Sequence, residues 1–241
     1  IVVSQSQTTV LHCARVVGVA REWAAATGLA QRAPVEIGCT GTAAELLSLD
    51  ATAAGRSLVK FASTGTVVVV IGEPKPDPRV LTYPHCVPGL WYVMTATNSA
   101  ATAYQWLRGL EFADREDESS IYRGMDEMAS SIPPGSDGLL FLPFLTGERS
   151  PYWDSRLRAA FLGVSAAHGQ SHFARAVLEG VCLSLRDCRD LLSSLAVELQ
   201  SPFLTGGGAT SGLWRSILAS VLGVPGIVAD PQGPAVGVAI L

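Results

Sequence analysis

The chain has 241 residues, 48% of them apolar and 16% charged, with a net charge of −4. That length and apolar share support a substantial core and exclude a disordered chain, while the acidic balance argues against nucleic acid as the main partner. No apolar run approaches the roughly 18–20 residues a membrane span requires, so no membrane partner is expected.

Five cysteines, Cys13, Cys39, Cys86, Cys182 and Cys188, are odd in number and lack CxxC spacing. They read as buried or incidental thiols of a reducing, cytoplasmic setting, and not as a disulfide framework or a metal site. Residues 1–10 have no initiator methionine and no basic segment ahead of an apolar core, so they are not expected to read as a signal peptide. Residues 235–241 stop within a small-residue helical pattern. Both ends read as cuts in a longer chain.

In chain order, Val16, Val17 and Gly18 form a strand end, followed by an alanine-rich helix closed by Gly28. Residues 35–39 are β-like, 42–49 helical, and 58–61 a strand. After the turn at 63–66 comes the β-branched strand 67–71, apolar on both faces, which makes a hairpin. Residues 73–79, with three prolines, form an exposed loop. A strand over 90–95 and a helix over 99–108 follow. The charge run 114–118 reads as a solvated loop or helix start. After a break at 133–136 comes the apolar run 139–145. The longest helical pattern is 171–195, with Phe173, Val177, Val181 and Leu185 on its buried stripe. The order of strand clusters and long helices predicts an α/β architecture.

The most informative segment is LTGGGATSGLW, residues 204–214. A short apolar strand runs into Gly206, Gly207 and Gly208. A helix stripe of Leu213, Trp214, Ile217, Leu218, Val221 and Leu222 follows, and then a last strand at 224–228. Strand, glycine turn and helix bring bare N–H groups and a positive dipole end towards a ligand, although a ligand-free tight turn fits the glycines as well. A side chain at Gly207 is expected to fill ligand space and to resist a positive φ. Two further glycine- or hydroxyl-rich turns, at 38–42 and 63–66, raise the expectation of a phosphate site.

Longer blocks carry a resemblance. AAFLGVSAAHGQSHFARAVLE (159–179), LPFLTGERSPYWD (142–154), the glycine segment with its helix, and YPHCVPGLWY with ATNSAATAYQWLR together resemble the FGGY carbohydrate kinases, xylulokinase-like branch. The resemblance implies an actin-like (ribonuclease H-like) ATPase domain, a mixed sheet flanked by helices. Residues 1–33 would be a remnant of the N-terminal FGGY domain with the interdomain segment. Residues 34–241 would be the C-terminal ATP-binding domain.

The implied activity is transfer of the ATP γ-phosphoryl group to a sugar hydroxyl, with Mg²⁺ as the metal and a ketopentose such as xylulose as acceptor. A homodimer is left open. Carried over by position, Ser63, Thr64, Gly65 and Thr66 approach the terminal phosphates. Ala101 and Gln105 lie near the nucleotide, and Gly206, Gly207, Gly208 and Ala209 form the turn under the adenosine. No residue is assigned to metal. Glu148 and Arg149 read as a structural ion pair or domain-edge contact, His172 as a capping or core histidine, and His85 stays ambiguous.

One departure stands out. The family's Gly-x-x-Asp turn supplies the base that takes the sugar hydroxyl proton, and the matching segment here begins at Gly38 and places Gly41 where that aspartate belongs. Glu45, one helical turn later, is expected to point elsewhere. The segment Gln232-Gly233-Pro234-Ala235 also lacks an acidic residue that relatives often carry. A catalytically impaired member, binding nucleotide or only keeping the fold, is the alternative reading.

Overall fold

The computed structural model describes residues 16–19, 28, 30, 34–36, 38–111, 118–229 and 233–241. The expected alanine-rich helix before Gly28 and most of the 114–118 charge run lie outside them. In chain order the elements begin with strands β1 (Val16–Val19) and β2 (Pro34–Glu36) and helix α1 (Gly41–Ser48). Strands β3 (Ser57–Phe61), β4 (Gly65–Ile71), β5 (Leu81–Pro84) and β6 (Trp91–Thr97) follow, then helices α2 (Ala101–Glu111) and α3 (Glu118–Ser130). Next come β7 (Leu140–Leu142), β8 (Ala160–Leu162) and α4 (Gln170–Ser194). The chain ends with β9 (Phe203–Thr205), α5 (Gly212–Leu222), β10 (Ile227–Val228) and α6 (Gly233–Ile240).

Two compact units result: Ile1–Thr52 with His85–Leu90 and Gln232–Leu241, and Ala53–Pro84 with Trp91–Pro231. In the first, β1 and β2 pair antiparallel. Helix α6 crosses α1 at Gly237, where a Cβ would collide with the backbone of Ala44, so only glycine permits that approach.

The second unit is built on a mixed six-stranded sheet of order β10-β9-β3-β4-β6-β5. β3, β4, β6 and β5 are antiparallel neighbours, whereas β9 runs parallel to both β3 and β10. The expected hairpin is β3–β4, and its Val67–Val70 stretch is buried on both faces, as an unbroken β-branched run predicts. Helix α4 packs on β4 and β6 and is in turn covered by α3 and α5. Val177, Val181 and Leu185 are fully buried on it, with Phe173 packed at the margin of the core. Burying a side chain of that size is worth about 1.5–3 kcal/mol, so this stripe anchors the sheet.

Some elements differ from the sequence expectation. Residues 81–84 form edge strand β5, hidden from pattern reading because Pro84 ends it. Of the 139–145 run only three residues are a strand, pairing with β8 so that the rings of Phe141 and Phe161 meet at 4.6 Å. Helix α3 begins at Glu118, the last residue of the charge run, and continues through 119–130, for which the sequence carried no expectation. Its apolar residues Ile121, Met125 and Ala129 recur every four positions and are all buried. No helix among the described residues is long and apolar enough to cross a membrane.

Candidate functional site

The site grows from the register of two parallel strands. β3 and β9 pair Leu58 with Phe203, Val59 with Leu204 and Lys60 with Thr205. The chain therefore leaves both strands at the same sheet edge, into the 62–64 hairpin turn on one side and Gly206 on the other. Gly206 has φ 87°, and a Cβ there would strike the Phe61 carbonyl. Glycine is required at that point on both counts.

The glycine run does not enter α5 directly, as the sequence had suggested. A 3₁₀ turn over Gly207–Thr210 intervenes, and Ser211 caps the helix by accepting the Trp214 N–H at 3.1 Å. The positive φ expected at Gly207 belongs to Gly206 instead. Gly207 is exposed with open space around its α-carbon, whereas a Cβ on Gly208 would press into Trp214 and Phe61. Ala209 is buried in the core, and its carbonyl accepts from Arg215 Nη1 at 2.6 Å, which clamps the turn.

In the hairpin, Ser63 is exposed and Thr64 half-buried. Gly65 and Thr66 are already strand, and the missing side chain of Gly65 makes room for Thr97 and Leu185. The first amides of α2 are committed to this turn. Ala101 N–H donates to the Ala62 carbonyl at 2.9 Å, and Thr102 Oγ1 donates to the Ser63 carbonyl at 2.7 Å. The positive end of α2 thus fixes the hairpin instead of remaining open to a ligand.

Beside these turns lies a pocket of about 470 Å³ between α2, α3 and the glycine turn. It brings together Ala101, Gln105, Gly207 and Gly208 of the residues singled out from sequence. Ser63, Thr64, Gly65, Thr66, Gly206 and Ala209 are not in its lining. The sequence reading missed Tyr104, Tyr122, Arg123, Asp126, Thr210, Ser211 and Gly212, and saw Trp214 only as a core residue. The four-residue spacing of Ile121, Met125 and Ala129 was the available signal, since it places Tyr122 and Asp126 together on an adjacent stripe.

The pocket wall is aromatic with one acidic point. Tyr104 stacks on Tyr122 at 5.9 Å and tilts against Trp214 at 5.8 Å. Tyr104 donates its phenol hydrogen to Asp126 Oδ1 at 3.1 Å, and Ser211 also bonds to that carboxylate. Burial raises the Asp126 carboxyl above its ordinary pKa, with the two hydroxyls opposing the shift. Burial, aided by the Asp126 charge, also raises the Tyr104 phenol, so it remains a donor.

A model of the FGGY family of carbohydrate kinases, C-terminal domain, matches residues 60–241. The chain belongs to that family. Xylulose kinase from Bacillus subtilis (strain 168) is 29% identical over 221 residues, which cover 90% of this chain and 43% of that protein. Gluconokinase from the same strain is 30% identical over 213 residues, covering 80% and 39%. The crystal structure of xylulose kinase from Rhodospirillum rubrum superposes with a TM-score of 0.82 at 33% identity, covering 95% of this chain and 46% of that one. The chain thus spans under half the length of these relatives. The actin-like fold expected of FGGY kinases is the one observed.

The residues outside the pocket resolve as follows. Gly41 is the first residue of α1, behind Thr40, whose Oγ1 accepts the Ala43 N–H at 3.1 Å. It has open space and no positive φ. Glu45 is buried in the same helix. Glu148 and Arg149 do not form the expected ion pair with each other. The buried Glu148 carboxylate accepts from Thr97 Oγ1 at 2.5 Å and from the Asn98 and Arg149 N–H groups, each at 2.7 Å. Arg149 turns to Asn98 Oδ1 at 2.7 Å. A carboxylate among several N–H groups at a tight turn serves the backbone, which is why no cation partner is needed.

His172 caps α4: its Nδ1 accepts the Gly169 N–H, leaving Nε2 to donate to Asp137 at 3.2 Å. His85 is buried, its Nδ1 accepts the Val87 N–H, and burial lowers its affinity for a proton, so it holds a turn as the neutral ring. Cys182 and Cys188 are core thiols; burial raises both, Cys188 to about 12. Among the described residues no group of three or more His, Cys, Asp or Glu gathers to hold a metal ion.

Proposed function

We propose that this chain is the nucleotide-binding half of an ATP-dependent sugar kinase, with residues 34–241 as its C-terminal domain and 1–33 as the tail of the N-terminal one. The carrying observation is the pocket. Its volume of about 470 Å³ suits an adenosine, its floor is the bare backbone at Gly207 and Gly208, and its wall is aromatic. Ser63 and Thr64, on the hairpin beside Gly206, are the groups of this chain best placed to meet the phosphates. ATP supplies the phosphoryl group. No residue here is assigned to Mg²⁺.

The acceptor best supported is a ketopentose such as xylulose, because relatives named xylulose kinases resemble the chain over 90% or more of its length. Gly41 favours a second reading, in which the protein binds nucleotide but phosphorylates sugar slowly. The deciding experiment follows ADP release by the full-length protein with ATP and a panel of sugars including D-xylulose and D-gluconate. Sugar-dependent turnover supports the kinase. Nucleotide binding without turnover supports the second reading, and absence of both removes the basis for either.

A further inference from the structure

The pocket has two unlike ends. Ala101 marks the end near the hairpin, since its N–H donates to the Ala62 carbonyl, and Gly207 follows the glycine packed on Phe61. One helical turn beyond Ala101 stands Tyr104, whose phenol reaches across to Asp126 on α3. Phosphates seated at the hairpin leave the Asp126 end for the base.

At that far end two hydroxyl donors, those of Tyr104 and Ser211, are committed to Asp126. Tyr104 gives its hydrogen to Asp126 Oδ1, and Ser211 bonds to the same carboxylate while its oxygen accepts the Trp214 N–H. A carboxylate offers about four acceptor positions, and two donors fill about half of them. What remains of the carboxylate towards the pocket is acceptor capacity, in a wall of stacked aromatic rings that also carries Gln105 and Arg123.

We infer that Asp126 reads the base of the bound nucleotide, accepting a hydrogen bond from the exocyclic 6-amino group of adenine and selecting ATP against 6-keto purine nucleotides. The inference rests on the nucleotide-site reading above. A 6-keto oxygen would face the carboxylate as a second acceptor, with repulsion in place of a bond. Burial of Asp126, which raises its pKa, strengthens the discrimination, because a desolvated carboxylate left without its donor is costly. Hydrogen bonds to charged groups set the expected preference at about 10- to 100-fold.

The test is competition for ATP bound to the full-length protein, using ITP, purine riboside 5′-triphosphate (hydrogen in place of the amino group) and 2′-deoxy-ATP. ATP should bind at least about tenfold more tightly than ITP and the purine riboside compound, with 2′-deoxy-ATP close to ATP. Asp126→Asn, which can donate to a keto oxygen, should narrow the ATP-to-ITP ratio to within about threefold while its unfolding midpoint stays measurable. Equal binding of ATP and ITP by the unaltered protein overturns the inference while leaving the nucleotide site intact, as does weakening confined to 2′-deoxy-ATP, which would assign Asp126 to the ribose. An unchanged ratio in Asp126→Asn overturns it as well. Failure of every nucleotide to bind sinks the proposed function and this inference together. If the variant does not fold, the ligand series on the unaltered protein decides.

Discussion

Lys60, the penultimate residue of β3, and Thr205, the last residue of β9, face each other in a parallel ladder. That register places the hairpin and the glycine turn side by side. Gly206 completes the join by lying against the Phe61 carbonyl with φ 87°. Gly206→Ala should therefore cost about 1–3 kcal/mol from the backbone conformation alone, with the collision adding to it. Gly207→Ala should change stability by under about 0.5 kcal/mol, since its φ is ordinary and its surroundings are open. Nucleotide affinity should fall in both. Urea denaturation and nucleotide titration on the two variants separate the roles, and equal stability losses would show that the two glycines do not differ.

Gly41→Asp tests the missing base. The site accepts a side chain, and no acidic residue occupies the first turn of α1, where a carboxylate gains about 0.3–1 kcal/mol from the helix dipole. The variant should be at least as stable as the parent by thermal denaturation. If Gly41 stands at the base position, sugar-dependent ADP release by the full-length protein should rise about 10²–10⁴-fold. Unchanged turnover would move the search to another residue, with Glu45 first.

Glu148→Ala removes the acceptor of one hydroxyl and two backbone N–H groups in a buried turn. Hydrogen bonds to a charged group contribute about 1.5–3 kcal/mol each, and the donors would be left unpaired. A loss of about 3 kcal/mol or more is expected from urea denaturation. Arg149→Ala should cost less, because the Arg149 side chain reaches only an amide oxygen and a carbonyl.

Asp126 gives a pH signature. Its native pKa is raised, chiefly by burial, so the native state takes up this proton at a higher pH than the unfolded chain. Acidification through that interval favours the native state at this site, and at neutral pH the ionised group weakens it. Asp126→Asn should unfold at a higher temperature than the parent at pH 7, with the gap closing towards pH 4. A gap that widens on acidification would contradict the assigned direction.

The sheet was legible in the sequence where its strands are β-branched and flanked by turns. The hairpin at 58–71, the long helix and the apolar strand before Gly206 followed from spacing alone. Edge strand β5 was not legible, because four residues ending in Pro84 carry no periodicity. The pocket was half legible. Glycines announce a turn, but Gly206, Gly207 and Gly208 divide into a strained position, an open one and a packed one only when Phe61 and Trp214 are in place. Asp126 escaped notice because its importance lies in meeting Tyr104 from another helix and Ser211 from another turn, a convergence no local pattern encodes. Glu148 and Arg149 misled for the opposite reason. Adjacent opposite charges suggest a pair, yet neighbours along the chain diverge, each towards a different backbone group.

The parallel β3–β9 ladder also dictates an order of assembly. Ser57, at the start of β3, donates its hydroxyl hydrogen to the carbonyl of Gln200, 143 residues along the chain. Strands β3 to β6 can pair through short connections as soon as they emerge from the ribosome, but β9 cannot dock until that long loop has closed, and distant closures are the slow ones. Until then β3 presents a bare edge, and the glycine turn has no neighbour to lean on. The nucleotide pocket is consequently among the last parts of this unit to form, and a nucleotide that binds only the completed pocket would draw the late steps of folding towards completion.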